Sequence, residues 1–407
     1  MIDVESKSQL IDVESPHPLA SGLVERIGDP SAHGVATHRV GDAAYARELP
    51  IPDHAAGFRA MLDAFAAHGP SLTEHAPVAV GHRVVQGGAR FVAPTLVTPL
   101  VESSIDELSL LAPLHNPGAL QGIRAARAGF PDVPHVAVFD TAFHQTMPAA
   151  AYTYAIDKTM AEKHSIRRYG FHGTSHRFVS EEAARFVGRD LSSLRQIVLH
   201  LGNGASATAI DGGRSVDTSM GLTPLQGLVM GTRSGDIDPS VLLVLAQREQ
   251  WTPAQVDAFL NTRSGMLGLA GASDMRDVEE RRAAGDPDAI LAFDVYIHRL
   301  RAYIGAYLGQ LGGADVIAFT AGVGENSPLV RAAALETFGF AGIEIDPERN
   351  RARGGGIRAI SAESSRVAVL VVPTNEELEI ARQTLQVATG FSEASRGRNS
   401  TATTLGR

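Results

Sequence analysis

Apolar residues fall in short runs between polar, glycine-rich turns, and the runs switch between two periods. VAVGHRVV (78–85) and HVAVFD (135–140) are continuous apolar runs of strand length that end in polar residues, as buried strands do. Between them, IDELSLLAPLHNPGALQGIRAA predicts two helices, the second capped by Asn116 with Pro117 in its first turn. QIVLHLGNGASATAIDGGRSVDTS (196–219) predicts three short strands joined by GNG and DGG turns, an antiparallel meander. VYIHRLRAYIGAYLGQL places apolar residues at 297, 300, 304, 308 and 311, one buried helical face. DVIAFTAGVGENS (315–327) predicts a strand, a glycine turn and a helix start. VAVLVVPTNEELEIARQTL (367–385) predicts a strand and then a helix, with Thr374 and Glu377 as a capping box. RARGGGIR (351–358) reads as a flexible turn, and the apolar-poor SEASRGRNSTATTLGR (392–407) as a disordered tail.

Alternating strands and helices predict an α/β fold. At 407 residues the chain exceeds what one core fills, so two domains are expected. Hydrophobic residues make up 44% and charged residues 20%, ordinary for a globular protein. The formal charge of −9, with no basic block, argues against a nucleic-acid partner. There is no cysteine, which excludes disulfides and thiolate metal sites. No apolar run approaches the ~20 residues that span a bilayer, and residues 1–20 lack a signal-peptide pattern. A cytoplasmic protein with no membrane partner is expected. Lys7, Lys158 and Lys163 are the only lysines, and no Gly-Lys-Ser/Thr occurs, so the Walker-type phosphate loop is absent.

Candidate chemistry lies in the turns. HLGNGAS (200–206) joins two strands with glycines that let backbone N–H groups approach an anion. AGVGENS (321–327) follows a strand and opens a helix, where the dipole favours phosphate. SMGLTPLQGLVMGTRSGDIDPS (219–240) is a long loop holding Arg233, Asp236 and Asp238, and long structureless loops are usually functional. RRYGFHGTSHR (167–177) reads equally as a surface turn over Phe171 or as an anion-binding segment.

GHRVV, APLHNP, FDTAFH, RRYGFHGTSHR, HLGNGAS, DTSMGLTPLQGLVMGTRSGD, AGVGEN and PTNEE occur in this order, and together they closely resemble the acetate kinase family. The resemblance runs from about residue 9 to about residue 390. It implies two actin-like ATPase domains with duplicated ribonuclease-H-like cores and an interdomain cleft. Residues 1–142 with 375–391 would form the acyl-site domain and 143–374 the nucleotide domain. It implies Mg²⁺-dependent, reversible, in-line phosphoryl transfer from ATP to acetate, giving ADP and acetyl phosphate, in a homodimer; Mn²⁺ could replace Mg²⁺. Arg83, Arg233 and His172 would neutralise charge on the transferring group, with Asn203 as a neutral donor. Asp140 would orient an arginine or act on the metal shell. Val85, Leu114, Phe171 and Pro224, with Arg83, would form the acetate pocket. His200, Leu201, Gly202, Asn203 and Gly204 would touch the phosphates. Asp274, Met275, Arg276 and Gly322, Val323, Gly324, Glu325, Asn326 would hold the adenosine, Met275 replacing an aromatic. Glu376 matches the magnesium carboxylate, with Glu377 the alternative one residue on. Singly, Arg83 reads as a salt-bridge partner, His172 as a turn residue and Glu376 as a first-turn carboxylate.

Two features depart from the family pattern. Gln86 stands where histidine is usual, and it cannot carry charge. The chain opens MIDVESKSQLIDVES, in which IDVES occurs at 2–6 and 11–15. The family opens with a strand and Asn-Ala-Gly-Ser-Ser-Ser, a phosphate loop that MIDVESKS does not resemble. QLIDVES (9–15) matches the strand that follows that loop. Readings left open are a kinase of propionate or another short acyl acid, and a catalytically impaired nucleotide-binding homologue.

Overall fold

The computed structural model describes residues 6–402 except Pro16, Pro30, Ser31 and Leu114, with side chains to residue 390. The chain divides into two compact units, residues 1–142 with 376–407 and residues 143–375.

In the first unit β1 (Ser6–Leu10), β2 (Ala20–Glu25), β3 (Gly34–Val40) and β4 (Ala43–Leu49) form an antiparallel sheet in that order. β5 (Val80–Val84), β6 (Thr95–Leu96) and β7 (His135–Phe139) form a second sheet, ordered β5-β7-β6, with β5 parallel to β7. Val84, Ile105, Leu120, Ile123 and Phe139 build its core under the helices Pro99–Glu107 and Asn116–Gly129. The helix that starts at Glu376 packs on β5 and β7.

In the second unit the predicted meander is present: β8 (Arg195–Leu201), β9 (Ala205–Asp211) and β10 (Arg214–Thr218) are antiparallel. β11 (Val316–Thr320) lies parallel to β8. β12 (Arg358–Ala359) then pairs antiparallel with β13 (Ala368–Val371), which is parallel to β11. The single sheet is ordered β10-β9-β8-β11-β13-β12. β8 is thus hydrogen-bonded to the meander on one side and to a parallel strand on the other. Ile197, Val198, Leu199 and Leu201 on it have no exposed surface. The first unit also has a meander followed by a parallel pair, but no described strand joins its two sheets as β8 does.

Several local expectations are corrected. The second IDVES (11–15) is the turn between β1 and β2, not a strand. Most of the first copy (2–5) lies outside the described residues. Asn116 does not cap its helix: its side chain accepts from Gln86 N and donates to Gln86 O, closing a buried clamp on the chain beyond β5. The final helix starts at Glu376, so Thr374 is outside it, and the Thr374 hydroxyl instead meets Ser175 Oγ at 2.8 Å. That helix runs on to Ala402, where a disordered tail was expected; no proline interrupts it. The buried face of Pro287–Leu311 continues from Ile304 through Tyr307 rather than Leu308. Among the described residues no helix is long and apolar enough to cross a membrane.

Deleting packing on β8 is expected to cost most. Ile197→Ala should destabilise by about 2–5 kcal/mol, whereas Val78→Ala, 72% exposed, should stay within ~0.5 kcal/mol. Urea unfolding of both variants checks this.

Candidate active site

In the first unit the chemistry gathers at the ends of β5 and β7. Parallel pairing sets Arg83 opposite Val138, and Asp140 N donates to Val84 O at 3.0 Å. Arg83 Nε then reaches Asp140 Oδ1 at 3.0 Å and its Nη2 reaches Oδ2 at 2.8 Å, a two-point clamp. Asp140 is 1% exposed and the Arg83 side chain 44%. Glu376 adds an oxygen 3.6 Å from Arg83 Nη2. Asp140 raises the Arg83 guanidinium further above its ordinary value, against burial and with help from Glu376 and Glu377. The structural reading of Arg83 as a salt-bridge partner therefore holds, with its guanidinium still half-exposed.

The Glu376 carboxyl is pushed above its ordinary value, first by burial; Arg83 opposes this, while Asp140 and Glu377 add repulsion. Its Oε2 has no hydrogen-bond partner. A hard, buried oxygen with no hydrogen bond, held only by the 3.6 Å ion contact with Arg83 and beside an excess of carboxylates, fits a magnesium ion. Among the described residues no group of three or more ligating side chains forms a ready-made metal cage. That suits an ion held by one or two carboxylates and by substrate phosphates.

Val85 is half-buried beyond β5, and Leu114 lies outside the described residues. Gln86 is fully buried: its Oε1 accepts from Gly88 N at 2.9 Å, and its Nε2 has no partner.

In the second unit a different charge balance appears. His172 ends the loop before the helix Gly173–Val187 in a left-handed conformation, φ 55°. Its Nδ1 is 2.9 Å from Ser206 Oγ on β9, and its ring stacks on His200 at 4.2 Å between centroids. Gly202, Asn203 and Gly204 form the turn between β8 and β9, with Gly202 N donating to Gly204 O. A Cβ at Gly204 would lie 3.5 Å from His172 Nε2 and 3.7 Å from Arg233 Nη1. His172, Arg233 and the turn are therefore brought together. Asn203 is exposed, and a Cβ at Gly231 would fall 1.7 Å from its Oδ1, so a larger residue there would displace the Asn203 side chain.

Arg233 Nη1 donates to Pro224 O at 3.2 Å. Burial holds its guanidinium below the ordinary value, and no carboxylate lies in ion-pair reach among the described residues. Phe171 is buried, 1% exposed, and its carbonyl accepts from His144 Nε2; Pro224 is half-buried. The long loop is held by its own backbone. Arg168 Nη1 donates to the carbonyls of Thr218, Ser219 and Met220, and Asp236 accepts from Gly227 N and Tyr303 Oη.

The expected adenosine residues form two local groups. Asp274 caps the helix Met275–Ala283 and clamps Arg276, which holds its carboxyl down at about 2. Met275 is buried beneath. In the short helix Ala321–Asn326, which includes Gly322, Val323 and Gly324, Glu325 Oε1 accepts from Ala321 N and Thr374 N, and Asn326 donates to Gly322 O. These side chains shape the loop rather than project from it. Sequence reasoning misses Arg331, 1% exposed, whose Nη1 donates to Gly324 O and Glu325 O while Nε and Nη2 hold Asn350. A charge inside the apolar helix PLVRAAAL was the signal available.

The chain matches the acetokinase family over residues 4–382. It belongs to that family. It is 63% identical to an acetate kinase of Clavibacter michiganensis subsp. michiganensis, over 94% of this chain and 96% of the relative. Its fold matches a crystal structure of Porphyromonas gingivalis acetate kinase with TM-score 0.89 and 40% identity, covering 94% and 96% of the two chains. A propionate kinase from Francisella tularensis subsp. tularensis matches with TM-score 0.87 and 38% identity, over 94% and 96%. Family membership makes the protein a phosphotransferase with a carboxyl group as acceptor.

The raised Glu376 carboxyl gives a signed prediction. Its ionised form weighs against folding; that cost is absent below the unfolded value, ~4.3, and present in full above the folded one. In metal-free buffer Glu376→Gln should therefore melt higher than the parent at pH 7, with the gap closing toward pH 4. The Tm rise that Mg·ADP gives the parent should shrink in the variant. Scanning calorimetry reads both effects, and a lower Tm for the variant at pH 7 would mean that the contact with Arg83 outweighs burial.

Proposed function

We propose that this chain catalyses reversible, in-line transfer of the γ-phosphoryl group between Mg·ATP and acetate, giving ADP and acetyl phosphate. The observation that carries the reading is Arg233, a half-buried guanidinium with no carboxylate in ion-pair reach among the described residues, beside His172 and the Gly204 turn. A group of that kind is stabilised by an incoming anion. Phosphoryl transfer needs cations and donors at the equatorial oxygens more than it needs covalent chemistry. Arg233 supplies a two-point fork, His172 Nε2 and Asn203 supply donors, and Arg83, oriented by Asp140, supplies the second cation. Acetate is ionised at neutral pH, so no general base is needed. Val85, Leu114, Phe171 and Pro224 would receive the methyl group. Gly202 to Gly204 would follow the phosphates, and the Asp274–Arg276 and Gly322–Asn326 segments the adenosine. Magnesium would supply neutralising charge to the phosphates, and Glu376 would hold it, with Asp140 in its shell.

The same reading includes a cytoplasmic homodimer. The helix Pro239–Glu249 supports a second copy, since Val241, Leu243 and Val244 are exposed on it and none of its residues is buried. The similarity to a propionate kinase keeps propionate as a second acceptor. One methylene in an apolar pocket is worth only ~1–3 kcal/mol, so comparing kcat/KM for the two acids ranks them.

With Mg·ATP and acetate, hydroxylamine should trap acetyl phosphate as the hydroxamate. ATP consumption at the same rate without any carboxylate would make the protein an ATPase instead.

Arg233→Ala should lower kcat about 10³-fold with little change in ATP binding, and Arg233→Lys should restore little because a point charge lacks the fork. Steady-state kinetics with nucleotide titration check this, and unchanged turnover would return Arg233 to a structural role.

A further inference from the structure

His172 Nδ1 is one end of a buried chain that the transfer chemistry does not itself require. Ser206 Oγ lies 2.9 Å from His172 Nδ1 and 2.7 Å from His176 Nε2. Ser206 and His176 have no exposed surface. His176 Nδ1 has no hydrogen-bond partner. Burial, then the neighbouring His144 and His200, hold the His176 imidazole well below its ordinary value, so it is neutral and carries one N–H.

Counting protons fixes their direction. A proton on His176 Nδ1 would be a buried donor with no acceptor, which costs more than an acceptor left empty. The proton therefore belongs on Nε2, which donates to Ser206 Oγ. Ser206 has one proton, and the His172 Nδ1 atom 2.9 Å away is its other side-chain neighbour. Nδ1 of His172 then accepts, and the neutral ring must carry its own proton on Nε2. That atom faces the Gly204 turn beside Arg233.

We infer that Ser206 and His176 are positioning residues that fix His172 as the neutral Nε2–H tautomer, so that it offers a donor to the phosphoryl group. The role at the phosphoryl group rests on the function proposed above; the tautomer does not. Protonating His172 at Nδ1 would force the Ser206 proton off its acceptor, so the chain also opposes the imidazolium. Among the described residues, the charged and titratable groups facing His172 include His200, stacked on it, Arg233 across the turn, and His176 through Ser206. His200 is tied in turn, its Nδ1 2.8 Å from Ser175 Oγ.

The test uses the full chain labelled with ¹⁵N-histidine. Long-range ¹H–¹⁵N spectra, assigned with His172→Gln, should show His172 as the Nε2–H tautomer at pH 7. Ser206→Ala should turn it into a tautomer mixture, lower kcat about 10- to 100-fold, and leave the KM values for ATP and acetate nearly unchanged. His176→Gln keeps a donor toward Ser206 and should retain most activity; His176→Leu should behave like Ser206→Ala. Circular dichroism melts confirm that each variant is folded, and Ser206→Ala, which removes one hydroxyl, keeps the test open if His176→Leu does not fold. An Nδ1–H tautomer in the parent, or an unchanged His172 signal in Ser206→Ala, overturns the inference. Absent kinase activity with the expected tautomer would fault the proposed function and leave the relay standing.

Discussion

Arg233 is held half-buried with a carbonyl as its neighbour and no carboxylate in reach among the described residues. Burying a charge without its opposite is unfavourable, and the guanidinium responds by losing some of its hold on its proton. The first unit carries the reverse imbalance. Arg83 is surrounded by Asp140, Glu376 and Glu377, and Glu376 keeps an oxygen that has an ion contact but no hydrogen bond. Neither unit is electrostatically complete by itself. In the proposed reaction the anionic phosphoryl group completes the second unit and the divalent cation completes the first. Both mismatches weigh against folding, and in the proposed reaction each would be relieved when substrate binds.

Keeping Arg233 free of carboxylates requires that its loop be shaped by something other than ion pairs. The acids near it are already engaged: Asp236 holds Gly227 N and Tyr303. Arg168 Nη1 is given to three consecutive carbonyls, while its Nε only approaches Asp217 at 3.9 Å. Gly231 leaves room for Asn203, whose side-chain oxygen occupies the space a Cβ would take. His172 accepts a left-handed backbone that costs a non-glycine residue roughly 1–2 kcal/mol. In return its ring meets Ser206 and stacks on His200. A loop built from backbone capture shows no hydrophobic period, which is why 219–240 reads as structureless.

The legible parts of the sequence were those with a strong period or a fixed turn. The meander 196–219, the strands around 80–84 and 135–139, and the 295–311 part of the helix Pro287–Leu311 follow from burial pattern. Caps were less legible, because polar side chains have several partners to choose from. Asn116 stands beside a helix proline yet serves the Gln86 backbone, and Thr374 stands three residues before Glu377 yet meets Ser175. Both choices depend on residues distant in sequence. Arg331 was missed for the same reason: its partners Gly324, Glu325 and Asn350 are set by the packing of two helices. The candidate site was legible as a set of motifs. Its charge imbalance was not, since that depends on which acids are already occupied.

The two units also differ in how rigidly they hold their arginines. In the second, β8 is bonded on both edges, so the turn after it moves only with a six-stranded sheet. In the first, β5 is an edge strand of a three-stranded sheet, and among the described residues no strand links it to β1. Arg83 therefore cannot take its position from a continuous ladder. Its placement rests on the clamp to Asp140, on Asp140 N bonded to Val84 O, and on the helix from Glu376 packed against β5 and β7. A Cβ at Gly81 would lie 2.3 Å from Thr384 Oγ1 of that helix, so the two elements are in close contact there. The helix that carries Glu376 is thus also the one that seats the strand of Arg83. A shift of that helix would move Glu376 and the strand of Arg83 together.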